Sequence, residues 1–293
     1  MLRFLASAIE LALTPLVKKA PLLVFGVMLA VPMGAGQLAA QDSRLRRLDT
    51  GEDSKGWEAV GRLDLAGRGF CTGALIAPDL VLTAAHCLFD RQSGAQIDTS
   101  KIEFQAGMRN GRAEAYRQVR RVVMHPSYRF EGPVTAERVR NDLALLELAH
   151  PIRNGAIEPF QVMRDAGTGD RVGVVSYAHD RAEAPSVQEI CSVMGQQQGV
   201  FVLSCDVDFG SSGAPVFSMS GGIPRIVSVI SAKAEAEGEK VALGSQLDAS
   251  VDLLRTQLKS GVGVTRPTVT RGNAATEKNR ANIGAKFVSV GGG

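Results

Sequence analysis

Between residues 57 and 258 the chain is a succession of short apolar runs, often β-branched, each stopped by Gly, Asp, Asn or Pro. Residues 73–77, 80–83, 101–106, 118–124 and 143–148 form one series. Residues 171–177, 200–204, 214–217 and 225–231 form a second. Branched side chains pack well on a pleated surface, and turn residues at this spacing close hairpins. No long stretch with a 3.6-residue period interrupts the runs, so the pattern selects an all-β barrel or sandwich. One helix is expected, late, over 249–258, where Val251, Leu254 and Leu258 share a face.

The four cysteines divide between the two series, Cys71 with Cys87 and Cys191 with Cys205. An even count fits an oxidising compartment. Three pairings are open; local pairing is favoured, because each series then has its own short-loop staple, about 3 kcal/mol in the chain-entropy picture. Zinc ligation does not fit, since no Cys-x-x-Cys exists. Two series with one cysteine pair each imply two barrels, about 57–150 and 151–258, meeting in the polar stretch after His150. Each is long enough to hold its own core.

The flanks differ from this body. Lys18-Lys19 precede an apolar run over 21–31 and then Leu38-Ala39-Ala40. That is the order of a signal peptide, and the run is too short to span a bilayer alone. Residues 1–40 are expected to be a signal peptide or, if uncleaved, an N-terminal anchor, followed by an extension over 41–56. From 259 to 293 the composition shifts to Gly, Thr, Asn and Lys and reads as a flexible basic tail. The net charge of +3 is uneven: +2 over 1–40 and +5 from Lys259 onward, which leaves −4 for 41–258. A body of that sign offers no footprint for nucleic acid. Export to the periplasm or the exterior is expected, as a monomer, with membrane contact only through an uncleaved leader.

Two segments carry chemistry. Thr83-Ala84-Ala85-His86-Cys87 offers a base, and Gly210-Ser211-Ser212-Gly213-Ala214-Pro215 offers a serine in a small-residue turn. A serine hydroxyl is a weak nucleophile and needs an adjacent base and donors for the developing oxyanion. Among thirty acidic residues, position selects Asp142, immediately before Leu143-Ala144-Leu145-Leu146. A carboxylate at the mouth of a buried strand is costly unless paired, and His86 is the expected partner. The other histidines, His125, His150 and His179, lie in polar or turn-like contexts.

With these motifs in the order His, Asp, Ser, residues 57–258 resemble the trypsin/chymotrypsin-like serine proteases of the bacterial exported type. The resemblance implies two six-stranded antiparallel β-barrels of the chymotrypsin type with a C-terminal helix. It also implies that His86 is the general base, that Asp142 holds its imidazole and that Ser212 is the nucleophile. The Gly210 and Ser212 N–H groups would form the oxyanion hole. Cys71 lies where the family has the partner of the cysteine after the histidine. Asp206, six residues before Ser212, stands where trypsin itself has the base of its primary pocket, and Ser231 lies on the expected pocket wall as a substrate-binding residue. Lys233 nearby is the opposite candidate, favouring acidic side chains. Ser211 departs from the family: an aspartate there pairs with a freed amino terminus in zymogen-type members, which a serine cannot do. No metal or organic cofactor is implied. Protein or peptide substrates are expected; the alternative is a catalytically silent binding module on the same fold.

Overall fold

Each series of short runs closes into a six-stranded antiparallel barrel. The structure, a computed structural model, describes residues 45–267 apart from 237 and 248. Barrel one consists of β1 (Val60–Leu65), β2 (Phe70–Ala77), β3 (Leu80–Thr83), β4 (Ile102–Ala106), β5 (Ala115–Met124) and β6 (Ala144–Leu148). Its strands follow the order β1-β2-β3-β6-β5-β4, and β4 returns to pair with β1. Barrel two consists of β7 (Arg171–Ala178), β8 (Arg181–Gln197), β9 (Val200–Leu203), β10 (Pro215–Ser218), β11 (Arg225–Ala236) and β12 (Glu239–Gln246). Its order is β7-β8-β9-β12-β11-β10, with β10 closing on β7. The two halves repeat one topology, although no repeat is visible in the sequence. Closure removes the exposed sheet edges that an open stack of such apolar strands would leave.

The branched runs explain the interior. Every residue of β3 and β6 is buried, and Leu63, Leu75, Phe104 and Leu145 fill barrel one. Val172, Val174, Phe201, Leu203, Val216 and Ile230 fill barrel two. Between the barrels Trp57 and Phe160 pack edge-on against Phe217, with ring centroids 5.0 and 4.7 Å away. Tyr177, on β7, donates its hydroxyl to the Met108 carbonyl of the other barrel at 2.8 Å. The cysteines pair locally, Cys71 with Cys87 and Cys191 with Cys205.

The segments flanking the barrels cross over. Arg46–Arg47 pairs with β8, and Leu48 behind it is fully buried. Two α-helices occur among the described residues: a short α1 (Ala136–Arg140) and the expected late one, α2 (Ser250–Ser260). Val251, Leu254 and Leu258 of α2 are buried in the cluster that contains the core of barrel one. Beyond it Val264–Thr265 pairs with β5. Of the residues expected as tail, 259–260 complete α2 and 264–265 join a strand. The expected leader over 1–40 and the tail beyond 267 lie outside the described residues.

Candidate active site

The end of β3 feeds a single 3-10 turn, Ala85–Leu88, that holds His86 at the rim of barrel one. Asp142 arrives from the other direction, between the end of α1 and the start of β6. Its carboxylate is 2% exposed. One oxygen lies 2.6 Å from His86 Nδ1, and the other accepts the His86 backbone N–H at 2.8 Å. A third donor comes from barrel two, the Ser231 hydroxyl, 2.5 Å from Oδ2. Three donors offset the burial of a charge that would otherwise be expelled. With Nδ1–H given to the carboxylate, Nε2 of a neutral imidazole is the acceptor nitrogen.

The serine loop is braced from both barrels. The Ser211 N–H donates to the Asp208 carbonyl at 2.9 Å, and the Ala214 N–H to the Ser211 carbonyl at 3.0 Å. Thr72 of barrel one donates its N–H to the Ser212 carbonyl and its hydroxyl to the Gly210 carbonyl, both at 2.8 Å. Gly210 and Gly213 have φ of +98° and +78°. A Cβ on Gly210 would lie 2.4 Å from the Phe70 ring, and one on Gly213 would lie 2.1 Å from Thr83 Oγ1. Only glycine fits at both positions. Among the described residues, neither the Gly210 nor the Ser212 N–H meets an acceptor. Ser212 and His86 line one cleft of roughly 430 Å³ together with Asp142 and Ser231.

Ser211 is 1% exposed. Its hydroxyl donates to Ser176 Oγ at 3.1 Å and accepts the Asp208 N–H at 3.3 Å. A neutral hydroxyl network thus stands where zymogen-type members carry an ion pair.

The expected specificity residues fall differently. Asp206 is exposed and is not among the residues lining the cleft. Its N–H is held by Gln188 Oε1 at 2.7 Å, and its carboxylate forms no pocket base; that expectation is corrected. Ser231 does line the cleft, but its hydroxyl is spent on Asp142. Its backbone stays at the cleft wall while its hydroxyl orients the carboxylate. Lys233 lines the cleft and reaches Asp208 at 2.7 Å. Phe209 is 56% exposed, with Lys233 Nζ 4.5 Å and the Arg91 guanidinium 5.4 Å from its ring centre. It borders both this cleft and a neighbouring one of roughly 560 Å³, which His86, Phe70 and the Cys71–Cys87 bridge also line. The sulfurs of that bridge lie close to His86, but sulfurs bonded to each other are not the thiolates a metal requires. Thr72, Arg91, Asp208 and Phe209 were not singled out from the sequence. Thr72 follows Cys71 directly, and that adjacency was the available signal.

The two-barrel arrangement is the chymotrypsin fold, and comparison with known proteins gives the family. The trypsin family model matches residues 51–252, and the chain belongs to that family. It is 33% identical over 147 residues to a trypsin of Simulium vittatum, covering 44% of this chain and 54% of that protein. It is 26% identical over 153 residues to a glutamyl endopeptidase of Bacillus licheniformis, covering 52% and 46%. The chain spans about half the length of these relatives. A solved Glu endopeptidase structure superposes with a TM-score of 0.57 at 18% identity, covering 68% of this chain and 90% of that one. That likeness is one of fold alone.

Proposed function

We propose that this chain is an exported serine endopeptidase that cleaves protein or peptide substrates through an acyl-enzyme. His86 takes the Ser212 proton as the oxygen attacks the scissile carbonyl. Asp142 fixes the imidazole and stabilises its charged form. The Gly210 and Ser212 N–H groups receive the oxyanion, and His86 returns the proton to the leaving amine. Water then hydrolyses the acyl-enzyme by the same route.

The observation that carries this reading is the 2.6 Å contact of His86 Nδ1 with a buried Asp142, at a cleft that Ser212 also lines. Family membership and free N–H groups on the serine loop add to it. Two disulfides and the leader-like residues 1–40 support export. Ser211 supports a protease competent once folded and oxidised, without an amino-terminal switch. A binding module would not need a base held so closely by a buried acid.

Hydrolysis of a mixed peptide library by the purified chain tests the proposal. Activity is expected to fall at least about 10³-fold in S212A and in H86A. Peptide binding without hydrolysis in the wild-type chain would favour the binding module.

A further inference from the structure

The charges lining the cleft are unbalanced. Arg91, Arg138 and Lys233 face it, against two carboxylates, Asp142 and Asp208. Asp142 is buried under three donors and belongs to His86. That leaves three cations and one accessible acid. Among the described residues, Arg91 and Arg138 meet no carboxylate at ion-pair distance: Arg91 rests on Phe209, and Arg138 on Phe130 and the Gly132 carbonyl.

Of the three, Lys233 is the cation tied by a direct contact to the serine loop. It lies on β11 two residues after Ser231, whose hydroxyl touches Asp142. Asp208, its partner at 2.7 Å, lies four residues before Ser212 on the serine loop. The pair therefore joins the strand and the loop that border the nucleophile. Its side chains are 52% and 49% exposed. An ion pair so open to water is weak and exchangeable. The Lys233 ammonium, followed by the Phe209 N–H, holds the Asp208 carboxyl below the usual carboxylate range, so it stays charged at neutral pH.

We propose that Lys233 is a specificity-determining residue that selects an acidic side chain at P1, the residue whose carbonyl Ser212 attacks, and that Asp208 occupies its place before substrate arrives. The substrate carboxylate replaces Asp208 on the ammonium, with Phe209 covering one side and Arg91 adding to the positive field. A basic P1 side chain meets Lys233 as a like charge and must compete with it for Asp208. Asp206, exposed and outside the lining, offers no alternative anchor. This inference rests on Ser212 as the nucleophile, since that position defines P1.

The test uses the full chain and three fluorogenic peptides that differ only in Glu, Gln or Lys at P1. Glu is expected to exceed Gln by about two- to fivefold in kcat/KM, the size of one solvent-exposed ion pair. In K233Q the Glu-to-Gln ratio collapses toward one, and in D208N it rises because the internal competitor is gone. A ratio that K233Q leaves unchanged, or a lead for the Lys peptide, overturns the proposal. Binding of uncleavable versions to S212A provides a readout that needs no turnover. Tighter binding of the Glu peptide, lost in the S212A/K233Q double variant, supports the inference, and equal binding of Glu and Gln overturns it. A chain that binds in this way yet never hydrolyses would defeat the catalytic reading while leaving the selectivity standing.

Discussion

At the scale of the residue the site turns on Asp142, which is 2% exposed and whose carboxylate accepts from three donors. The Ser231 hydroxyl is the donor whose loss does least harm to the fold. S231A is expected to lower kcat/KM by about tenfold, mainly in kcat, because a hydrogen bond to a charged group is lost. Thermal unfolding of S231A should stay close to wild type. An unchanged kcat would show that two donors suffice to orient the acid. The candidates His86, Asp142 and Ser212 could be picked from the sequence because each lies in a local motif whose proposed chemistry needs that residue type. The Ser231 bond was not readable, since it joins residues 89 apart through the meeting of the barrels. Asp206 was picked by counting back from Ser212, and a count along the chain does not say which way a side chain faces; here Gln188 holds the Asp206 N–H and the residue is exposed.

At the scale of the element, strands were legible where apolar runs were dense and hidden where only one side is apolar. β3 and β6 are buried throughout and stand out. β8 and β12 carry Glu, Lys, Gln and Ser among their apolar positions, and neither was expected as a strand. β8 pairs with its chain neighbours β7 and β9, and β12 pairs with its neighbour β11 and with the distant β9, so their place is decided by pairing rather than by a dense apolar run. Glu147 shows what an acid does inside a buried strand. It is 9% exposed and sits opposite Arg121 in the β5–β6 ladder. Burial alone would raise its pKa, but hydrogen bonds from Arg121 and Arg120 outweigh that and hold it below the usual range. A carboxyl with a lowered folded-state pKa stabilises the fold above its unfolded pKa, and that contribution is lost as pH falls through the folded value. Wild type should therefore exceed E147Q in urea stability at pH 7, with the gap closing as pH drops below about 4. A gap that persists at low pH would assign the difference to packing rather than charge.

At the scale of the molecule the two barrels act as one unit because each described flanking segment is anchored away from its neighbours in sequence. The segment at 46–48 joins barrel two, and α2, which follows barrel two, buries Val251, Leu254 and Leu258 in the cluster of barrel one. Two cysteine pairs and two series of runs made two barrels foreseeable; the crossing of the ends was not, because a single amphipathic face does not say what covers it. L254A should cost about 2–5 kcal/mol, since Leu254 is fully buried. If the strap also holds the cleft in register, activity should be lost at the same urea concentration as β-sheet circular dichroism. Activity that survives α2 undocking would confine the helix to stability. The central claim, that the cleft between the barrels makes Ser212 a nucleophile through His86, is tested most directly by a serine-directed fluorophosphonate with the adduct mapped by mass spectrometry. The account predicts one adduct, on Ser212, absent in S212A and formed about 10²–10⁴-fold more slowly in H86A. An adduct on Ser211, labelling that survives S212A, or no labelling of the folded chain would contradict it.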